Sequence, residues 1–197
     1  MGSTDIEENA LIAQHVADHG HHRFQQVVYR GNPWDLSHLD PFAFFVEIEQ
    51  NRRIVVMVIF SCHCFTHNPK HDVRKEEIPQ DELYKTQNET RVLNEERYNL
   101  SKQLLLQIVK QLDGRHITVA DAGRNFVTVE QLDQNGNTVY YGVFFEVEKS
   151  RHRGGHLILR VQTAYTLNSL NKRIKSARKV RFAVLMKAVF EGRTIRP

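Results

Sequence analysis

Two cysteines among 197 residues are too few for the disulfide framework that holds small secreted domains together. No apolar run approaches the roughly 18–20 residues that a membrane-spanning helix needs. The opening stretch, residues 1–10, is acidic and lacks the basic-then-apolar order of a secretion signal. Ile6 stands where an N-myristoylation site needs Ser or Thr. These absences point to a cytoplasmic protein with no membrane partner. The glycine-rich signatures are missing as well, with no G-x-x-x-x-G-K-[ST], no G-x-G-x-x-G and no G-x-S-x-G. Nucleoside-triphosphate hydrolysis, dinucleotide binding and the serine-hydrolase elbow have no support, and no cofactor is expected. No repeat, low-complexity tract or linker divides the chain, so a single domain over 1–197 is expected.

What is present is ordinary in amount and uneven in placement. A hydrophobic fraction of 41% and a charged fraction of 25% fit a soluble globular chain that can bury a real core. Residues 149–197 hold thirteen Lys/Arg and one acid, Glu191, a balance of +12 against −8 for residues 1–148. Such polarity favours a polyanion on one side, and it can also pair two parts of a fold or two protomers.

The clearest structural unit is 138–167, two runs rich in β-branched and aromatic residues around a polar, glycine-bearing turn at 151–155. Strand alternation puts Val139, Tyr141, Val143, Phe145 and Val147 on one face. The same alternation groups Leu157, Leu159, Val161, Thr163, Tyr165 and Leu167. The even face is then left with Glu146, Glu148, His156, Arg160 and Gln162. A second hairpin is expected over 42–50 and 53–65 around Asn51-Arg52, its strand 54–60 apolar on both faces and so covered on both. Residues 66–85 read as a loop. Thr86 and Glu89 have capping-box spacing, which predicts a long helix over about 86–113 ending at Gly114. Phe182, Leu185, Met186 and Val189 predict a final helix closed by Gly192. Residues 4–19 predict an N-terminal helix with a thin Leu11, Ile12, Val16 stripe, so 1–20 is expected to be a mobile arm or lid. Hairpins without long strand–helix–strand alternation indicate α+β, an antiparallel sheet with the long and C-terminal helices packed on it.

Three groups of residues can carry chemistry. Cys62, Cys64 and His67 are of zinc-ligand type, but a C-x-C pair with no second cysteine pair makes them a weak metal candidate. On the central hairpin, Glu146, His156 and Arg160 could move a proton from a ribose 2′-hydroxyl and stabilise phosphorane-like charge without a metal, with Tyr165 stacking or hydrogen-bonding. A cross-strand salt bridge accounts for Glu146 and Arg160 equally well. Arg124, Arg151, Arg153, Lys172, Arg173 and Lys175 are candidate nucleic-acid contacts, with RNA the expected polyanion.

The blocks V-I-F-S-C-H-C-F-T (58–66), E-R-Y-N-L-S (96–101), Y-G-V-F-F-E-V (141–147), L-R-V-Q-T-A-Y (159–165) and R-F-A-V-L (181–185) carry a resemblance. Together they resemble an uncharacterised bacterial family labelled as stationary-phase growth adaptation proteins, which implies a bacterial cytoplasmic protein and assigns no catalytic residue. V-Q-T-A-Y is also similar to the last strand of ribonuclease toxins with the barnase/colicin/RelE-like fold, which implies RNA cleavage from a sheet face without metal. The expectation is a nucleic-acid-directed domain which, if it is an enzyme, is a metal-independent endoribonuclease. The alternative is a non-catalytic homodimeric regulatory or protein-interaction module.

Overall fold

The computed structural model describes residues 3–74, 77–119, 126–134, 137–150, 156–170 and 172–195. Among them, side chains are described for all except 3–5, 126–127, 131–134, 137–138 and 173. The chain is α+β, with helices on both faces of one large sheet. That sheet contains β3 (Phe42–Glu49), β4 (Arg52–Phe60), β8 (His116–Val119), β9 (Phe126–Gln134), β10 (Asn137–Lys149), β11 (Leu157–Leu167) and β12 (Lys179–Arg181). Their order is β12-β8-β9-β10-β11-β4-β3. β1 (Val27–Tyr29) pairs with β2 (Asn32–Trp34), and β5 (Thr66–His67), β7 (Thr90–Leu93) and β6 (Leu83–Lys85) form a third, small sheet.

The sheet is mixed, contrary to the antiparallel expectation, because β11 lies parallel to β4 with Leu159 opposite Val58. Both strands are almost wholly apolar where they meet, as parallel strands buried on two faces tend to be. Val56 and Val58 join the main core, while Met57 and Ile59, both fully buried, face the opposite way. The β3–β4 turn forms where the sequence places it, with Asn51 at φ +62°.

The main core lies under α2 (Glu95–Leu100), a π-helical turn Ser101–Leu105, α3 (Leu106–Lys110) and α5 (Phe182–Phe190). Tyr98, Leu105, Ile108, Val109, Phe182, Leu185 and Met186 fill it against the sheet. The long helix begins eight residues later than the capping-box spacing indicates, with its N-cap at Asn94 in place of Thr86. The Thr86 hydroxyl accepts from the backbone N–H groups of Asn88 and Glu89, closing a turn between β6 and β7. Asn94 is the actual N-cap, its Oδ1 accepting from the Arg97 N–H at 2.8 Å, with Glu95 and Glu96 in the first turn. Residues expected to form one long loop over 66–85 instead contribute β5, β6 and short 3₁₀ turns.

α1 (Ser3–Asp18) lies against β3 and β4 on the other face. Leu11 is 45% exposed and Ile12 and Val16 are half-buried, whereas His15 and His19 are buried, so the two histidines are the most deeply seated side chains on the docking face of the helix. Arg53 on β4 grips Glu8 at 2.7 Å and ties the first turns of the helix down.

The central hairpin pairs as expected in its lower half, with Val147 opposite Leu159. An irregularity at Phe144/Phe145 leaves Gln162 unpaired and reverses the parity of β11 beyond it. Ala164 therefore turns into the core, and Thr163, Tyr165 and Leu167 leave the face that alternation had assigned to them.

Candidate functional site

The even face of the central hairpin is covered by the end of α1 and the histidine-rich turn that follows it. His19, His21, His22, Ile59, Glu148, Lys149, Ser150, Ile158 and Arg160 line a cavity of about 340 Å³ there. Local sequence explains the arrangement. Helix α1 ends at Asp18, and Gly20–His22 coils as a 3₁₀ turn that presents its imidazoles side by side. Alternation on β11 aims His156, Ile158 and Arg160 at that turn. The His21 and His22 ring centroids are 4.1 Å apart, and His15 and His156 approach to 4.2 Å. His156 is 2% exposed and packs edge-on to His19, so it serves as the floor under α1 and is not open to the cavity.

Arg160 stands directly opposite Glu146 in register, but the two form no ion pair, and Arg160 has no carboxylate partner among the described residues. The salt-bridge explanation of this pair is thereby removed. The guanidinium instead bears on His22, whose pKa is pushed down to about 4 by burial first, then by His21, Arg160 and His19. At neutral pH His22 is an uncharged imidazole with an accepting nitrogen, beside a guanidinium that forms no ion pair among the described residues.

The other expected site residues fall elsewhere. Tyr165 is five residues beyond Arg160, roughly 16 Å at strand rise. It stacks on Phe144 at 5.4 Å and lies under the Arg97 guanidinium at 5.0 Å, in a separate cavity with His67, Asp72, Arg74 and Asn94. Lys175 lines a third, basic cavity with Arg115, His116 and Lys179 at the β8–β12 edge, and Lys172 opens the short helix α4 (Lys172–Ser176). Arg124, Arg151 and Arg153 lie outside the described residues, as does the side chain of Arg173.

The metal candidate is rearranged. Cys64 is buried in the core and its thiol is pushed up to about 12, chiefly by burial. His67 donates or accepts through both ring nitrogens, Nε2 with Asp72 at 3.0 Å and Nδ1 with the Asn94 amide at 3.2 Å. Cys62 instead meets His63 and Glu89, which the sequence had not joined because Glu89 lies 27 residues on. Burial and the Glu89 charge push the Cys62 thiol up to about 11, so it is no activated nucleophile at neutral pH.

The YjaZ family model matches residues 26–190. The chain belongs to the YjaZ family. A curated relative, Protein YjaZ of Escherichia coli (strain K12), is 28% identical over 146 residues, covering 72% of this chain and 78% of that protein. No solved structure matches the chain, and the resemblance to ribonuclease toxins draws no support from these comparisons. The stretch matched to YjaZ holds Glu146, Glu148, His156 and Arg160, whereas His15, His19, His21 and His22 precede it. No helix among the described residues is long and apolar enough to cross a membrane.

Proposed function

We propose that this YjaZ-family chain acts on a phosphodiester polyanion, RNA first, at the cavity between the histidine turn and β11. The observation that supports this reading is the half-buried Arg160 guanidinium, without a carboxylate partner among the described residues and set beside the imidazoles of His21 and His22. A phosphate seated there neutralises the guanidinium and offsets the share of the His22 depression that comes from Arg160 and the neighbouring imidazoles, burial being the larger cause. Its pKa then rises toward the range in which a general base is effective. His22 accepts the proton of a ribose 2′-hydroxyl as that oxygen bonds to phosphorus. The 5′-oxygen leaves with a proton from the imidazolium form of His21, which becomes neutral imidazole, giving a cyclic phosphate and a free 5′-hydroxyl. Arg160 holds the charge that builds on the phosphorane oxygens. No metal enters this sequence.

A non-catalytic binding module is the second reading, favoured by the separate basic cavity of Arg115, Lys175 and Lys179. Labelled bulk RNA, incubated with the purified protein and EDTA, separates the two. Cleavage that persists in chelator and disappears in Arg160→Gln and His22→Gln supports the reaction above. Binding without cleavage, weakening steeply with salt, leaves the module. Neither cleavage nor binding removes nucleic acid from the account and directs attention to a protein partner or a homodimer.

A further inference from the structure

The turn at the end of β4 carries a cluster that the proposed phosphodiester chemistry does not use. Cys62, His63 and Glu89 bring one donor atom each within 4.8 Å of one another. Glu89 Oε1 lies 2.7 Å from His63 Nε2 and 3.8 Å from Cys62 Sγ. Ligands on a tetrahedral zinc ion stand about 3.3–3.8 Å apart, as bond lengths of about 2.0–2.3 Å require. With every pair of donors within 4.8 Å, an adjustment of about 1 Å brings these side chains to that spacing. We propose that Cys62, His63 and Glu89 form a mononuclear site for a borderline-soft divalent cation of the zinc type.

Three further features support it. The donors are a thiol, an imidazole and a carboxylate, a mixture suited to zinc and not to magnesium or calcium, which prefer oxygen alone. The platform is fixed before any ion arrives. Ser61 Oγ accepts from the His63 backbone N–H at 3.0 Å and donates to Gln162 O at 2.7 Å, pinning the turn to β11. Arg91 holds the second Glu89 oxygen at 3.0 Å and bonds Thr66 Oγ1 at 2.7 Å, and that hydroxyl donates to Cys62 O at 2.8 Å. Outer contacts of this kind orient metal ligands and restrain them. Finally, Cys62 is buried, whereas the His63 and Glu89 side chains are 34% and 38% exposed, so the fourth coordination position faces water. An open position of that kind distinguishes reactive zinc sites from closed structural ones.

The test is a Co²⁺ titration of the full chain followed by optical absorption, with Zn²⁺ competition. The expected result is one equivalent bound with a thiolate-to-cobalt charge-transfer band that Zn²⁺ abolishes. Cys62→Ser should remove the band, and Glu89→Gln should weaken Co²⁺ binding by at least about tenfold, the lower range for lost ligand support. Glu89 sits at the surface, so its variant keeps the proposal testable should Cys62→Ser fail to fold. A His19→Gln/His21→Gln/His22→Gln triple variant should retain the band. Absence of the band, its survival in Cys62→Ser, undiminished Co²⁺ affinity in Glu89→Gln, or its loss in the triple variant would each overturn the assignment. Because the phosphodiester assay is run in EDTA, failure of one proposal leaves the other standing.

Discussion

Glu146 and Arg160 face one another across β10 and β11, and their charges are left unjoined. The packing on either side explains the consequence. Arg160 runs over Ile59 toward the histidine turn, where its charge is felt by His22. Replacing Arg160 by Gln removes one of the causes that depress His22 and sacrifices no ion pair among the described residues. The His22 titration, followed by the NMR shift of its ring protons, should therefore move upward. Stability should stay within about 0.5 kcal/mol, as for surface changes that break no specific contact. An unchanged His22 titration would mean that Arg160 does not act on that ring.

The same ring makes stability depend on pH. Folded His22 takes up its proton near pH 4, whereas an unperturbed imidazole does so near 6.5. Between those values the unfolded chain binds more protons, so stability rises with pH across the window and falls as acid is added. Burial lowers His15, His38 and His67 in the same sense. The depressed carboxylates Asp72 and Glu82 lose their contribution only at lower pH. Urea midpoints should drop between about pH 7 and about pH 5, and the drop should be shallower in His22→Gln. An equally steep profile in that variant would exclude His22 as a source.

Asn94 joins two elements through one side chain. Its carbonyl oxygen caps α2 on the Arg97 N–H, and its amide reaches His67 Nδ1. Asn94→Ala should cost about 1–2 kcal/mol, the usual range for a lost cap, with the upper end expected because His67 also loses a partner. Chemical denaturation checks the magnitude. Asn94→Asp should recover part of the loss, since its carboxylate still caps and lies at a helix N-terminus.

Local features were legible in the sequence, and non-local ones were not. Asn51 at the β3–β4 turn and the Phe182–Leu185–Met186 spacing of α5 announce their structures within a few residues. The Thr86–Glu89 spacing misled because a threonine hydroxyl closes a turn as readily as it caps a helix. Asn94 followed by two glutamates was the better signal for the helix start. Parallel pairing of β4 with β11 joins residues about a hundred positions apart and leaves no local mark. The irregularity at Phe144/Phe145 likewise defeats strict alternation, which is why Tyr165 was assigned to the core face. Burial of His15 in place of Leu11 depends on His156, far along the chain. The pocket that joins Arg160 to His22 therefore could not be assembled from periodicity alone.

Tyr141 offers a test of the core that is independent of function. Its ring is fully buried, and its hydroxyl meets no hydrogen-bond partner among the described residues. Burial accordingly pushes its phenol well above the ordinary value. A buried donor left unsatisfied carries a desolvation cost of about 1–3 kcal/mol, whereas Phe keeps the ring and removes the hydroxyl. Tyr141→Phe should thus stabilise the protein by about 1 kcal/mol, raising the melting temperature by about 2–4 °C for a chain of this size. Calorimetry distinguishes the outcomes directly. A loss of stability on removing the oxygen would show that the hydroxyl has a partner in solution, with the neighbouring Cys64 thiol and Arg97 the first groups to examine.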